Sequence, residues 1–190
     1  MSPVERRPSV NELVAGAARE LTGVIRELDQ SQLRAAVDTI LAADRVFVAG
    51  AGRTGLVMRC FAMRLMHAGL TVFVVGETTT PAAGPGDLLV VGSGSGDTPS
   101  VVTIVERGLS AGLSVLAVTA RPESRLGSLA TSIVAVSGGI HASTATASRQ
   151  PAGNGFEQAL LLTLDAIAIA VASEAGVEFG RDLARHSNLE

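Results

Sequence analysis

"DLLVVGSGSGDTPSVVTIVERG", residues 87–108, is the stretch whose reading decides the fold. The apolar run DLLVV is followed by GSGSGDT at 92–98 and then by PSVVTIVERG, whose apolar spacing opens an amphipathic helix. A strand, a tight turn and a helix therefore follow one another without a gap. The turn carries Ser93, Ser95 and Thr98 among its glycines. Glycine lets the backbone bend sharply and approach a ligand, and hydroxyls and amides aimed at one point cradle an anion, phosphate first among them.

Moving outward, the same unit recurs. From Arg45 the chain runs through RVFVAG, LTVFVVG, DLLVVG, LSVLAVTA and TSIVAVSG, separated by helical stretches of which 54–68, 98–111 and 156–175 are the longest. This alternation predicts an α/β, doubly wound fold: five buried parallel strands with helices on both faces. GAGRTG at 50–55 ends the first strand as GSGSGDT ends the third, so both glycine-rich turns fall where open α/β sheets bind ligands.

Upstream, Ser9 and Glu12 form a capping box, and Val10, Val14, Ala17, Leu21, Val24 and Leu28 recur at steps of four and three. A helix with one narrow apolar seam follows, able to pack inside the chain or against a partner chain. A second helix turns Leu33, Ala36, Val37, Ile40 and Leu41 one way. The organisation is one domain over 1–190: an N-terminal helical segment at 9–44, an α/β core at 45–175 and a C-terminal tail at 176–190. Residues 138–154, GGIHASTATASRQPAGN, lack periodicity and read as a lid or a disordered loop.

Composition narrows the function classes. With 47% hydrophobic residues, 190 residues bury one full core. Fifteen basic residues, all arginine, against 18 acidic ones give a net charge of −3 with no basic run, so a nucleic-acid partner is not expected. One cysteine, Cys60, makes neither a disulfide framework nor a metal cluster, and it fits a reducing cytoplasm. MSPVERRPSVNE has no signal-peptide core. ALLLTLDAIAIAVA, 159–172, is shorter than the ~20 residues of a membrane span and contains Asp165, which makes it a buried helix.

GAGRTG also fits the dinucleotide pattern G-x-G-x-x-G, with Glu77 about 20 residues on. Against that stand the lack of a second domain for a hydride partner and the hydroxyl-bearing turn after the third strand. Thr54, Ser93, Ser95 and Thr98 together put four hydroxyls on two such turns, which one phosphate monoester would satisfy. Serine and threonine also cap helices and turns, their commonest work. Arg53 could reach the same phosphate or stand solvated. Asn154 and Glu157 have capping-box spacing, making Glu157 a candidate helix cap.

GAGRTGLVMRCFAMRLMHAGL (50–70), GSGSGDT (92–98), FEQALLLTLDAIA (156–168) and RHSNLE (185–190) resemble the sugar isomerase (SIS) domain family over nearly the whole chain. Within it, RLMH, FEQALL and the closing NLE resemble the 6-phospho-3-hexuloisomerase branch. Thr54 stands for that family's serine and keeps the hydroxyl, whereas Asn154 and Gly155 replace a serine and an apolar residue.

The resemblance implies conversion of D-arabino-3-hexulose 6-phosphate into fructose 6-phosphate, with a hexulose-phosphate synthase as pathway partner and neither cofactor nor metal. The phosphate of that substrate then falls to Thr54, Ser93, Ser95 and Thr98, with Gly52 and Arg53 as candidate further contacts. The resemblance assigns catalysis to Glu157 and His186, either of which can be the base, with the tail of a neighbouring subunit carrying His186. The Val10 to Leu28 seam, the largely apolar final helix and a functional tail predict a homo-oligomer, dimer or tetramer with the tetramer preferred, with sites at subunit boundaries. His67 and Met66 read as core or interface residues, and His141 has no assigned role. Isomerases of other phosphosugars, of the arabinose 5-phosphate type, and non-catalytic sugar-phosphate-binding modules share the domain.

Overall fold

Five parallel strands, β1 (Val46–Gly50), β2 (Val72–Val74), β3 (Leu88–Gly92), β4 (Ser114–Thr119) and β5 (Ser132–Ala135), form one sheet in the order β2-β1-β3-β4-β5. The structure, a computed structural model, describes residues 7–138, 150–151, 153–178, 186 and 188. The strand order reverses between β1 and β3, whose register pairs Gly50 with Gly92. The two glycine-rich turns therefore leave the sheet side by side and at one level. This is the crevice that the sequence pattern predicts.

Alternation along the strands builds two cores. Val46, Val48, Leu88, Val90, Leu116 and Val118 face α2 (Gln30–Ala42), α3 (Gly52–His67) and α6 (Asn154–Glu174). Their neighbours Phe47, Ala49, Leu89, Val91, Val115 and Ala117 face α4 (Pro99–Ser110) and the five-residue α5 (Arg125–Leu129). The centre of the sheet is buried on both faces as expected. The edge strands are not: β2 is half-buried throughout and β5 mostly so, because each lacks a neighbour on one side.

α1 (Val10–Arg26) carries the Ser9–Glu12 capping box, with the Glu12 amide donating to Ser9 Oγ at 3.3 Å and the Ser9 amide to Glu12 Oε2 at 2.7 Å. Its seam divides. Leu21 and Val24, with Leu28 just beyond the helix, pack against the main core, whereas Val10, Leu13 and Val14 stay exposed. The apolar stretch read at 159–172 belongs to a longer helix, the 21-residue α6, half of whose most apolar window is buried. Phe156, Leu160, Leu164, Ile167 and Val171 form its inward stripe, so it is a core helix on the sheet.

One half-buried ion pair secures the start of β3. Asp87, 3% exposed, receives Arg45 Nη2 at 2.6 Å, Arg45 Nε at 2.9 Å and the Gly84 amide at 2.8 Å. Those bonds, the Arg45 bond foremost, hold its carboxyl below the ordinary aspartate value.

Candidate active site

The first turn is built by close approach of backbone to backbone. A Cβ on Gly55 would lie 2.7 Å from the Gly50 carbonyl oxygen, so only glycine lets α3 start directly beneath the end of β1. Gly50 and Gly55 of GAGRTG are thus demanded by strand-to-helix packing, whereas Gly52 answers to its positive φ of +57°. Glu77, the acidic residue of that pattern, pairs with Arg59 at 2.6 Å on the surface. Thr54 closes the gap to the second turn: a Cβ on Gly92 would lie 3.0 Å from Thr54 Cγ2.

In the second turn the hydroxyls converge. Ser93 Oγ and Thr98 Oγ1 are 3.1 Å apart, and Ser95 Oγ and Thr98 Oγ1 3.4 Å. The Gly96 amide donates to Ser93 Oγ at 3.1 Å and the Asp97 amide to Ser95 Oγ at 3.3 Å. Ser93 is buried, and Ser95 and Thr98 are half-buried. All four sequence-selected hydroxyls thus lie on two adjoining turns, three of them in one hydrogen-bonded group.

Helix starts differ in their caps, and α5, which follows β4 at the crevice edge, has a side-chain cap in Ser124. Away from the crevice, α1 and α2 are capped by the side chains of Ser9 and Asp29. α3, α4 and α6 begin at Ala51, Thr98 and Gly153 with no side-chain cap. Their first amides and the positive ends of their dipoles make anion-binding positions.

Glu157 is not the cap that its spacing suggested. Gly153, with φ +89°, serves as the N-cap of α6, so Asn154 lies inside the helix and the capping box does not form. The carboxylate instead accepts a hydrogen bond from Arg53 Nε at 2.5 Å, and the Glu157 side chain is 16% exposed. Arg53, expected at the phosphate or in solvent, therefore ties the first turn to α6. Gly52 sits at the α3 start with φ +57°, beside it.

His186 lies elsewhere on its own chain. Its Nδ1 is 3.4 Å from His67 Nε2, with ring centroids 5.3 Å apart. His67 closes α3, about 24 Å from the Gly52 end at ~1.5 Å per residue. Burial, with His186 and Arg64 nearby, holds His67 below its ordinary value of 6.5. His141, most of the 138–154 loop and most of the tail fall outside the described residues. No cluster of metal-ligating side chains occurs among the described residues.

Sequence reading passed over Asp97, within the second turn, and Thr119 and Ser124, which pack against it. The Arg125 amide donates to Asp97 Oδ1 at 3.0 Å, and a Cβ on Gly96 would lie 1.8 Å from Ser124 Oγ and 3.2 Å from Thr119 Oγ1. The one local signal was the Ser124–Gly127 spacing of an N-cap, in a helix too short for periodicity.

A parallel sheet with hydroxyl-bearing turns at its switch point is an α/β architecture that binds ligands in that crevice, and the SIS domain model matches residues 39–155. The chain belongs to the SIS domain family. It is 43% identical to the 3-hexulose-6-phosphate isomerase of Mycobacterium gastri over 90% of this chain and 86% of that protein. It is 36% identical to the 3-hexulose-6-phosphate isomerase of Bacillus subtilis (strain 168), over 94% and 98% respectively. A crystal structure from Methanococcus jannaschii, for which the function of 3-hexulose-6-phosphate isomerase has been inferred, superposes with a TM-score of 0.80 at 28% identity. That match covers 93% of this chain and 98% of that one.

Proposed function

We propose that this protein isomerises D-arabino-3-hexulose 6-phosphate to fructose 6-phosphate. The observation that carries this reading is the pair of uncapped helix starts, α3 and α4, on the two adjoining turns, with the Glu157 carboxylate of α6 bonded to Arg53 of the first. The phosphate sits on the Ser93, Ser95 and Thr98 hydroxyls and Thr54, facing the first amides of α3 and α4. Gly52 and Arg53 line the approach to the sugar.

The chemistry asks little of the site. With the carbonyl at C3 and the phosphate on O6, ring closure through O6 is blocked, and closure through O5 or O1 gives a four-membered ring. The substrate arrives open, so no ring-opening acid is needed. Glu157 takes the C2 proton, the C–H electrons form the C2=C3 bond, and the C3 carbonyl oxygen gains a proton to give the enediol. The C2 hydroxyl then loses its proton, the carbonyl forms at C2, and Glu157 returns a proton to C3. Arg53, bonded through Nε to Oε2, fixes the orientation of the carboxylate.

His186 serves the crevice of a neighbouring copy, where imidazole moves the proton between O2 and O3 or polarises the carbonyl. Its distance from Glu157 in its own chain supports that placement, as does the apolar surface left on α1, α3 and α6. Val10, Leu13, Val14, Leu56, Met63, Met66, Leu162 and Ile169 are exposed, which fits a homotetramer with sites at subunit boundaries. In the cytoplasm the protein follows a hexulose-phosphate synthase in the ribulose monophosphate route of formaldehyde fixation. Purified protein given ribulose 5-phosphate, formaldehyde and that synthase should form fructose 6-phosphate with EDTA present. No product under these conditions overturns the assignment.

A further inference from the structure

An aspartate in an anion-binding turn needs an explanation. Asp97 stands between Gly96 and Thr98, and its carboxylate should repel the phosphate that its neighbours bind. The geometry directs that charge elsewhere: Asp97 Oδ1 accepts the Arg125 amide at 3.0 Å, the first amide of α5. α5 follows β4 at the same edge of the sheet, yet unlike α3, α4 and α6 it is capped from within, by Ser124 Oγ on the Gly127 amide and by Asp97 on the Arg125 amide.

The same segment holds the turn at several further points. The Ser93 amide donates to the Val118 carbonyl at 3.1 Å, the Ala120 amide to the Gly94 carbonyl at 3.3 Å and the Leu126 amide to the Gly96 carbonyl at 2.9 Å. Gly96, at φ +68°, lies directly on Ser124. Each of these is a backbone bond or a close approach, and Asp97 adds the one charged side-chain tie.

We infer that Asp97 is a positioning residue for phosphate recognition, seating the 93–98 turn on α5 so that its hydroxyls are aligned before the ligand arrives. This rests on the phosphate reading of the turn. Asp97 touches no ligand; it acts through Ser95 and Thr98, which flank it at two residues and one.

The test measures inorganic phosphate binding by calorimetry, alongside KM and kcat for the sugar phosphate, in the full chain. Asp97→Ala should weaken phosphate binding and raise KM about tenfold, the loss of one charge-assisted hydrogen bond. kcat should stay within about twofold, because the phosphate is held alike in ground and transition states. Asp97→Asn, which keeps an acceptor oxygen, should restore both constants to within about threefold.

Arg125→Pro deletes the donated N–H at the first helical position, where proline is tolerated, and Ser124 already has the extended backbone that a following proline requires (φ −72°, ψ 175°). It should reproduce the Asp97→Ala effect, while Arg125→Ala, which keeps the N–H and removes only the side chain paired with Glu106, should not. Phosphate binding by Asp97→Ala or Arg125→Pro as tight as in the parent, or tighter, overturns the proposal and leaves Asp97 a mere repulsive neighbour. Ser95→Ala separates the two levels of the argument. If it too leaves phosphate affinity unchanged, the turn is not the phosphate site and the proposal falls with that reading; if it weakens binding and Asp97→Ala does not, only the positioning role fails.

Discussion

GAGRTG and GSGSGDT look alike in sequence and do different work. In the first turn the glycines answer to the fold: Gly55 must let α3 pass under the Gly50 carbonyl, and no hydroxyl but Thr54 is present. In the second the hydroxyls form a bonded group, and Gly96 is fixed by what supports the turn, the 118–126 segment. A glycine pattern therefore reports backbone crowding, and only the side chains between the glycines report the ligand. The dinucleotide reading loses its force on this distinction, since Gly50 and Gly55 are explained by packing and Glu77 pairs with Arg59.

Substitutions can break that contrast. The largest effect is expected at Gly96→Ala, which must hold a left-handed conformation with its Cβ against Ser124. Displacing the turn by about 1 Å should raise KM roughly a hundredfold. Gly52→Ala, also at positive φ but with nothing within 4 Å of its Cβ, should raise KM by no more than about tenfold and cost only about 1 kcal/mol of stability. Equal KM effects at the two positions would erase the difference between the turns.

Ser95→Ala and Thr98→Ala come next. Each removes a neutral hydrogen bond to an anion, about 1.5–3 kcal/mol, so KM should rise about ten- to hundredfold with kcat little changed. Gly55→Ala should act on the fold instead, lowering stability by about 1–3 kcal/mol, a few degrees in Tm, while KM in the surviving folded protein stays near the parent value. A rise in KM there, without a fall in Tm, would show that Gly55 serves the ligand rather than the fold.

The smallest effect lies at the far end of α3. His67 titrates below 6.5 in the folded chain because it is partly buried beside His186 and Arg64. Between the two values the unfolded chain holds the extra proton, so this contribution to stability is present above about 6.5 and lost as pH falls through that value towards the folded one. Tm should therefore drop modestly from pH 7.5 to 5.5, and His67→Gln should flatten that part of the slope. The phosphate affinity of the crevice, at the other end of the helix, should not follow the His67 variant.

The contrast also marks what the sequence made legible. Strands and turns were readable because β-branched runs and glycines act locally; even so, β2 and β5 came out half-buried, since edge position depends on strand order and not on composition. The four hydroxyls were readable because short turns gather them, three on the second turn and Thr54 on the first. Glu157 was readable as a candidate only, and its partner was not: Arg53 is 104 residues away, a separation no periodicity reports. The capping-box reading failed because Gly153, free to adopt φ +89°, took the N-cap and moved Glu157 one position past the box. Asp97 escaped notice because its partner is the first amide of a five-residue helix.

The central claim, that a phosphate turn delivers an open sugar to Glu157, is tested most directly by following 3-hexulose 6-phosphate in D2O by proton NMR with the parent protein and Glu157→Gln. The parent should form fructose 6-phosphate. Glu157→Gln, which keeps the shape of the side chain and an acceptor for Arg53, should bind inorganic phosphate normally yet lose about 10²–10⁴ in kcat, with no exchange of the C2 proton. Turnover by Glu157→Gln within about threefold of the parent would contradict the account and remove the carboxylate from the chemistry.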